Sequence, residues 1–285
     1  MKNDRALFLF LAILIPFLCR ANEVPRPGLA GGRFVYLDAS GAEAWPETWD
    51  WAWPFTEDRA GVRRGPRWNL LDRQGKSVGD ARFDWVGLFE GGLAPARQGS
   101  KWGYLNREGK WAIAPFYSDA RPFCQGVAAV QVGGTPNVVS KVDQLAGLPA
   151  FYGKLAKKID LSVPASSGGK WALINSKDQY LVPPKYEAIL EASQGLVLYR
   201  QGGAWGYLNL KGEVAISAQY LKASPFCDGL AMVTLMNCRT GKIDRQGQFF
   251  EKEKLFVQEL KDSRANLGNV ATSSGGGGAE PSSSR

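Results

Sequence analysis

Between residues 33 and 250 apolar and polar positions alternate in short runs, and each run ends on an Asx residue followed by a glycine. Trp102, Tyr104 and Asn106 fall on one side of such a run and Gly103 and Leu105 on the other, which is the two-residue period of a β-strand. Asp38, Asp72, Asn106, Asn175 and Asn209 open the turns, and Gly41, Gly75, Gly109 and Gly212 stand three residues later. Asx side chains bond their own downstream backbone and glycine supplies positive φ, so each pair predicts a tight hairpin. Asp178 takes the glycine place in one unit and is among the few residues that tolerate the left-handed region. After the second strand, Pro46, Pro115, Pro183 and Pro184 are expected to end the pairing. A connector then leads to a third strand, as in Gly126 to Val132 or Gly229 to Leu235.

The runs recur with a fixed period. Trp68 and Trp102 are 34 residues apart, Trp102 and Trp171 are 69 apart, and Trp171 and Trp205 again 34, with Phe34 another 34 before Trp68. Gly92, Gly126, Gly195 and Gly229 keep the same steps, as do Phe83, Tyr117, Tyr186 and Tyr220. Phe55, Phe89, Phe123 and Phe226 follow the same register. Agreement among independent position classes marks an internal repeat, whose units bury their apolar faces by stacking on neighbours.

The units read RFVYLDASG, RWNLLDRQG, KWGYLNREG, KWALINSKD and AWGYLNLKG, from Arg33, Arg67, Lys101, Lys170 and Ala204. The Lys-Trp-Gly-Tyr-Leu-Asn string, with its later glycine, aromatic and Phe-x-x-Gly-Leu-Ala, resembles bacterial WG repeats. This resemblance spans about residues 33 to 250 and implies a non-catalytic β-hairpin repeat protein. Only Trp102 and Trp205 carry the glycine of that motif, since Phe34, Trp68 and Trp171 are followed by Val35, Asn69 and Ala172. A small residue there is expected to let an aromatic ring lie flat on the backbone.

The resulting fold expectation is an all-β array of about six three-stranded hairpin repeats in residues 22–250, open and twisted in preference to a closed propeller-like ring. Thr240 to Asp244 with Gly247 reads as a sixth hairpin, slipped by one residue and acting as a cap. Residues 251–285 are expected to hold a helix, with Phe256, Leu260 and Leu267 on one stripe, and a disordered Gly/Ser tail. Residues 135–169 fill one period without a tryptophan and fit either a degenerate repeat or an inserted loop. At the other end, Lys2 and Arg5 precede the apolar run Ala6 to Cys19, so residues 1–21 read as a secretory signal peptide. A secreted, periplasmic or cell-surface location follows from that reading.

Composition narrows the chemistry. The 285-residue chain contains no histidine, which excludes imidazole-based triads and the commonest zinc ligand. Its net charge falls from +8 to +6 once Lys2, Arg5 and Arg20 leave with Asp4, and the remaining cations are scattered. Nucleic acid is therefore a poor partner, whereas weak attraction to anionic envelope polymers is compatible with the charge. No phosphate-cradling glycine loop, Cys-x-x-Cys pair or calcium loop occurs, and no cofactor or metal is expected. Glu187 with Glu191, and Glu47 with Asp50, read as solvated surface, so no catalytic residue is assigned.

Two groups of residues remain as candidates. Trp49, Trp51 and Trp53 alternate along the sequence and would share one strand face, a row able to stack on sugar rings if exposed, or to cap the first repeat's core if buried. Cys227 and Cys238 are a candidate disulfide in an oxidising compartment, leaving Cys124 free. The functional expectation is a protein-interaction scaffold in the cell envelope. Its alternative is carbohydrate or peptidoglycan binding through the tryptophan row.

Overall fold

A computed structural model describes residues 24–79, 82–140 and 162–251 of the chain. The expected signal peptide, C-terminal helix and Gly/Ser tail lie outside the described residues. Every regular element among those described is a β-strand, and every pairing is antiparallel. The first sheet pairs Arg26–Ala30 with Arg33–Leu37, and isolated bridges Phe34↔Trp49 and Leu37↔Glu43 extend it. Trp51–Ala52, Ala60–Arg64 and Arg67–Leu71 form the second. The third holds Trp85–Val86, Ala94–Gln98, Lys101–Leu105 and Trp111–Tyr117, and the fourth Asp119–Ala120, Val127–Val132, Lys170–Asn175 and Tyr180–Tyr186. A final seven-stranded sheet runs from Ala188–Ser193 to Phe249–Glu251 and serves two repeats, because Val214–Ala223 belongs to both. Among the described residues no strand of the first sheet pairs with one of the last, and the sheets close into no barrel.

Sheets and sequence units do not coincide. Lys101–Leu105, which opens one unit, pairs back onto Ala94–Gln98 of the unit before it and forward onto Trp111–Tyr117 of its own. Each sheet therefore combines the end of one unit with the start of the next. The three-stranded units of the sequence interlock through the backbone as well as through side chains.

All six Asx hairpins share one geometry. Asn106 Oδ1 accepts the N–H groups of Glu108 and Lys110 at 3.2 and 2.9 Å, and its carbonyl accepts that of Gly109 at 3.0 Å. Asp244 repeats this pattern with Gln246, Gln248 and Gly247, so the slipped hairpin is a sixth copy. Asp178 adopts φ 60° in place of glycine. The small residue after tryptophan has a different cause from the one expected. A Cβ on Gly103 would strike the backbone carbonyl of Ile113, and one on Gly206 would lie 2.6 Å from Ile216 O. Three residues of the fourth strand oppose one residue there, forming a bulge that presses backbone onto backbone. Pro115, Pro183 and Pro184 lie in or beside these bulges, inside strands that resume pairing at Tyr117 and Tyr186, so they do not end the ladder.

Trp102, Gly103, Tyr104 and Leu105 are all buried, because neighbouring sheets cover both faces of this strand. Sheet-to-sheet contact is polar as well as apolar. Glu57 accepts the N–H groups of Gly91 and Gly92 in the next sheet at 2.8 and 2.7 Å. Gln125 repeats the contact on Gly195 at 2.8 Å, and Gln194 on Gly229 at 2.9 Å.

The described ends of the segment without tryptophan form a two-stranded sheet of their own. Val127–Val132 pairs directly with Lys170–Asn175, completing the fourth sheet without it. Beyond Val132↔Lys170 the same hairpin register continues as a two-stranded arm, Thr135–Ser140 against Ser162–Ser167. Elsewhere in the array this place is a two-residue turn, Gly65-Pro66, Gly99-Ser100 or Gly202-Gly203. A carboxylate caps each of these turns: Asp50 on Gly65 N–H at 2.6 Å, Asp84 on Gly99 N–H at 2.6 Å, and Glu187 on Gly203 N–H. Ser118 holds the equivalent position in the fourth sheet, where there is no turn to cap.

Candidate functional site

Trp49, Trp51 and Trp53 are buried, with 5, 0 and 2% of their surface exposed. They do not form a coplanar row. Trp49 bridges Phe34 and meets Tyr36 edge-on, whereas Trp51 and Trp53 contact each other at 77° between ring planes. Trp53 stacks on Trp68 at 5.8 Å and reaches Trp85, which contacts Trp102 at 5.2 Å. The result is an indole spine through the second and third sheets, joined to the first by the contact of Trp51 with Phe34. No face of the three rings is open for stacking on a polymer.

Cys227 and Cys238 do not meet. Cys227 bridges Leu230 just before the strand Ala231–Leu235, and Cys238 N–H bonds Leu235 O just after it. A five-residue strand spans about 16 Å, beyond the roughly 7 Å over which two Cα atoms can be bridged. Cys124, Cys227 and Cys238 are all free thiols.

What sequence reading missed is a cleft of about 310 Å³ between the first and second repeats. One face of the hairpin Ala60–Arg64/Arg67–Leu71 supplies Val62, Arg64, Arg67, Asn69 and Leu71. Glu47 and Trp49 wall it from the preceding repeat, and Ser77 and Arg82 from the following segment. Its origin lies at the second position of the repeat motif. Where Gly103 and Gly206 admit a bulged strand, Asn69 carries a side chain that this backbone approach excludes. Among the described residues its partner segment makes two isolated bridges, Leu71↔Ser77 and Trp68↔Phe83, where the third sheet has a paired strand.

Polar groups in the cleft are unequally satisfied. Arg67 pairs with Asp84, and Arg64 Nη2 donates to Thr48 O at 2.9 Å. Arg82 is exposed and has no ion pair among the described residues. Asn69 Nδ2 donates to Ser77 Oγ at 2.8 Å, but its Oδ1 is shielded from solvent and has no hydrogen-bond partner among the described residues. Three guanidinium groups thus face a cleft whose lining contains one carboxylate, Glu47. Such an arrangement can hold an anion by charge-assisted bonds. Among the described residues no three His, Cys, Asp or Glu side chains gather as a metal site, and no helix is long and apolar enough to cross a membrane.

Interlocked antiparallel sheets built on a 34-residue unit define a β-hairpin repeat protein. The family model for the WG containing repeat matches residues 68–102, 102–135, 171–203 and 205–236, and the chain is a WG-repeat protein. No curated protein matches it. Among solved structures it is similar to BamB from Moraxella catarrhalis, at 15% identity and TM-score 0.38 over 80% of this chain and 70% of that one. It is also similar to the Pan2 WD40 domain of Neurospora crassa, at 8% identity and TM-score 0.37 over 74% and 69%.

Proposed function

We propose that this WG-repeat protein is a non-catalytic interaction scaffold, exported to the cell envelope, with a protein partner engaged by the projecting arm. The arm carries the reading. A hairpin that continues in register out of the fourth sheet serves no purpose in the array, which is complete at Val132↔Lys170. A two-stranded ribbon also leaves backbone N–H and C=O groups along its edges, which a partner strand can pair. Gly133, Gly134 and Gly168, where the ribbon joins the sheet, are all at positive φ, which glycine adopts without strain. Export is supported by Lys2, Arg5 and the apolar run up to Cys19.

The test is a variant in which Gly133 to Gly169 are replaced by Gly-Gly, copying the turn at Gly202-Gly203. The array is expected to keep its urea midpoint, while crosslinking in intact cells loses a partner that the full chain captures. An unchanged set of crosslinked proteins would refute the role of the arm. N-terminal sequencing of the exported protein tests cleavage after Ala21, and a chain retained in the cytoplasm would contradict the location.

A further inference from the structure

We infer that the cleft between the first two repeats is a binding site for an acidic monosaccharide unit, a pyranose ring carrying a carboxylate. The inference is independent of the arm and uses only the lining residues. Arg64, Arg67 and Arg82 converge on one small volume, and planar guanidinium forks match a carboxylate in paired hydrogen bonds. Arg67 and Arg64 are already oriented by Asp84 and by Thr48 O, which lowers the entropy lost on binding. Arg82, with no ion pair of its own among the described residues, supplies the unspent charge.

The remaining lining selects against a bare anion. Glu47 would repel one and gains nothing from it, since a carboxylate is an acceptor that needs donors. Ring hydroxyls are such donors, and Ser77 Oγ can accept from one as well. Val62, Leu71 and the edge of Trp49 offer an apolar wall for the C–H face of the ring. A volume of about 310 Å³ fits one such ring and not a folded peptide. Trp49 is thus the single member of the expected tryptophan row that touches this site, and Trp51 and Trp53 lie behind it in the core.

The site is tested by calorimetric titration of the full chain with trigalacturonate, and in parallel with the neutral trisaccharide maltotriose, with inorganic phosphate and with a tripeptide bearing a free C-terminal carboxylate. Trigalacturonate is expected to bind, and Arg82→Gln to weaken it by about tenfold or more, as for loss of one charge-assisted pair. Asn69→Gly restores the residue of the motif and should lower affinity as well. Far-UV circular dichroism and the urea midpoint of both variants distinguish loss of the site from loss of the fold. Equal binding of maltotriose would overturn the carboxylate, and equal binding of phosphate would overturn the sugar. Tighter binding of the tripeptide would assign the cleft to a peptide terminus instead. Absence of trigalacturonate binding, or binding unchanged in Arg82→Gln, would overturn the site.

Discussion

Trp53 Nε1 donates a hydrogen bond of 2.8 Å to the carbonyl oxygen of Val86, 33 residues later and in the next sheet. One side chain therefore does two things that repeat arrays usually divide: it stacks on Trp68 within its own sheet and fixes the register of the following one. The carbonyl of Trp53 is itself taken by Tyr36 Oη at 2.7 Å. Tyr104 on Arg121 O and Tyr207 on Ser224 O repeat that second bond at the same spacing.

Trp53→Phe keeps most of the ring but removes the indole donor, leaving the carbonyl of Val86 buried without that bond. The expected cost is about 1–3 kcal/mol, read as a lower urea midpoint. Trp53→Ala should cost about 3–5 kcal/mol, because a cavity opens beside Trp51, Trp68 and Trp85. If Trp53→Phe were neutral, the indole bond would contribute nothing to the packing of the first three sheets.

Gly103→Ala and Gly206→Ala test the backbone origin of the motif. Each new methyl meets backbone atoms of the opposing bulge and not a side chain that can turn away. Destabilisation of about 1–3 kcal/mol is expected for each. Ala172→Gly, at the same place in the fourth sheet, should change stability by no more than about 1 kcal/mol. Thermal unfolding of the three variants decides the matter. Equal effects would mean that the close approach is not what the glycines are for.

The period, the Asx turns and the all-β class were legible because each rests on local chemistry repeated along the chain. The left-handed Asp178 and the slipped turn at Asp244 were legible for the same reason. For the tryptophan row the sequence left exposure and burial open, although the register held the answer. Trp49 stands 34 residues before Phe83, the aromatic of the next unit, and Trp51 stands 34 before Trp85. Both are therefore repeat core positions. The role of Gly103 could not be read, since a bulge is set by the partner strand. The cleft lies beside Asn69, where the partner segment makes only two isolated bridges among the described residues, which is a tertiary consequence of one departure from the motif.

Alkaline pH should unfold the protein earlier than a solvent-exposed set of phenols would. Burial raises the pKa values of Tyr104 and Tyr207, and for Tyr117 the bond to Asp178 adds to burial. Because the ionised forms are disfavoured in the fold, the unfolded chain gives up these protons first. The stabilisation is complete below the ordinary phenol value of 10.0 and is lost as pH rises beyond it. The urea midpoint should therefore decline above about pH 10, with phenolate absorbance appearing together with unfolding. Phenolate absorbance from all tyrosines in a protein still folded at pH 11 would contradict this.

Cys124 occupies the same repeat position as Thr56 and Ser193, where a small polar side chain links adjacent sheets. Thr56 Oγ1 accepts Phe89 N–H at 2.9 Å, Ser193 Oγ donates to Phe226 O at 2.6 Å, and Cys124 Sγ lies 3.1 Å from Ala192 O. Burial, with the carboxylates of Glu90 and Glu191 adding to it, pushes the Cys124 thiol up to about 11. Thiolate is the reactive form, so Cys124 should react slowly with a thiol reagent at pH 8 while exposed Cys227 and Cys238 react at once. Mass mapping after timed alkylation is expected to give that order, with no bridge between Cys227 and Cys238. Cys124→Ser should lie within about 1 kcal/mol of the parent, since a hydroxyl donates to Ala192 O as Ser193 does to Phe226 O. Cys124→Ala should be less stable than Cys124→Ser, because it removes the donor. Were the order reversed, the side chain would be there for its apolar volume and not for the link it makes between sheets.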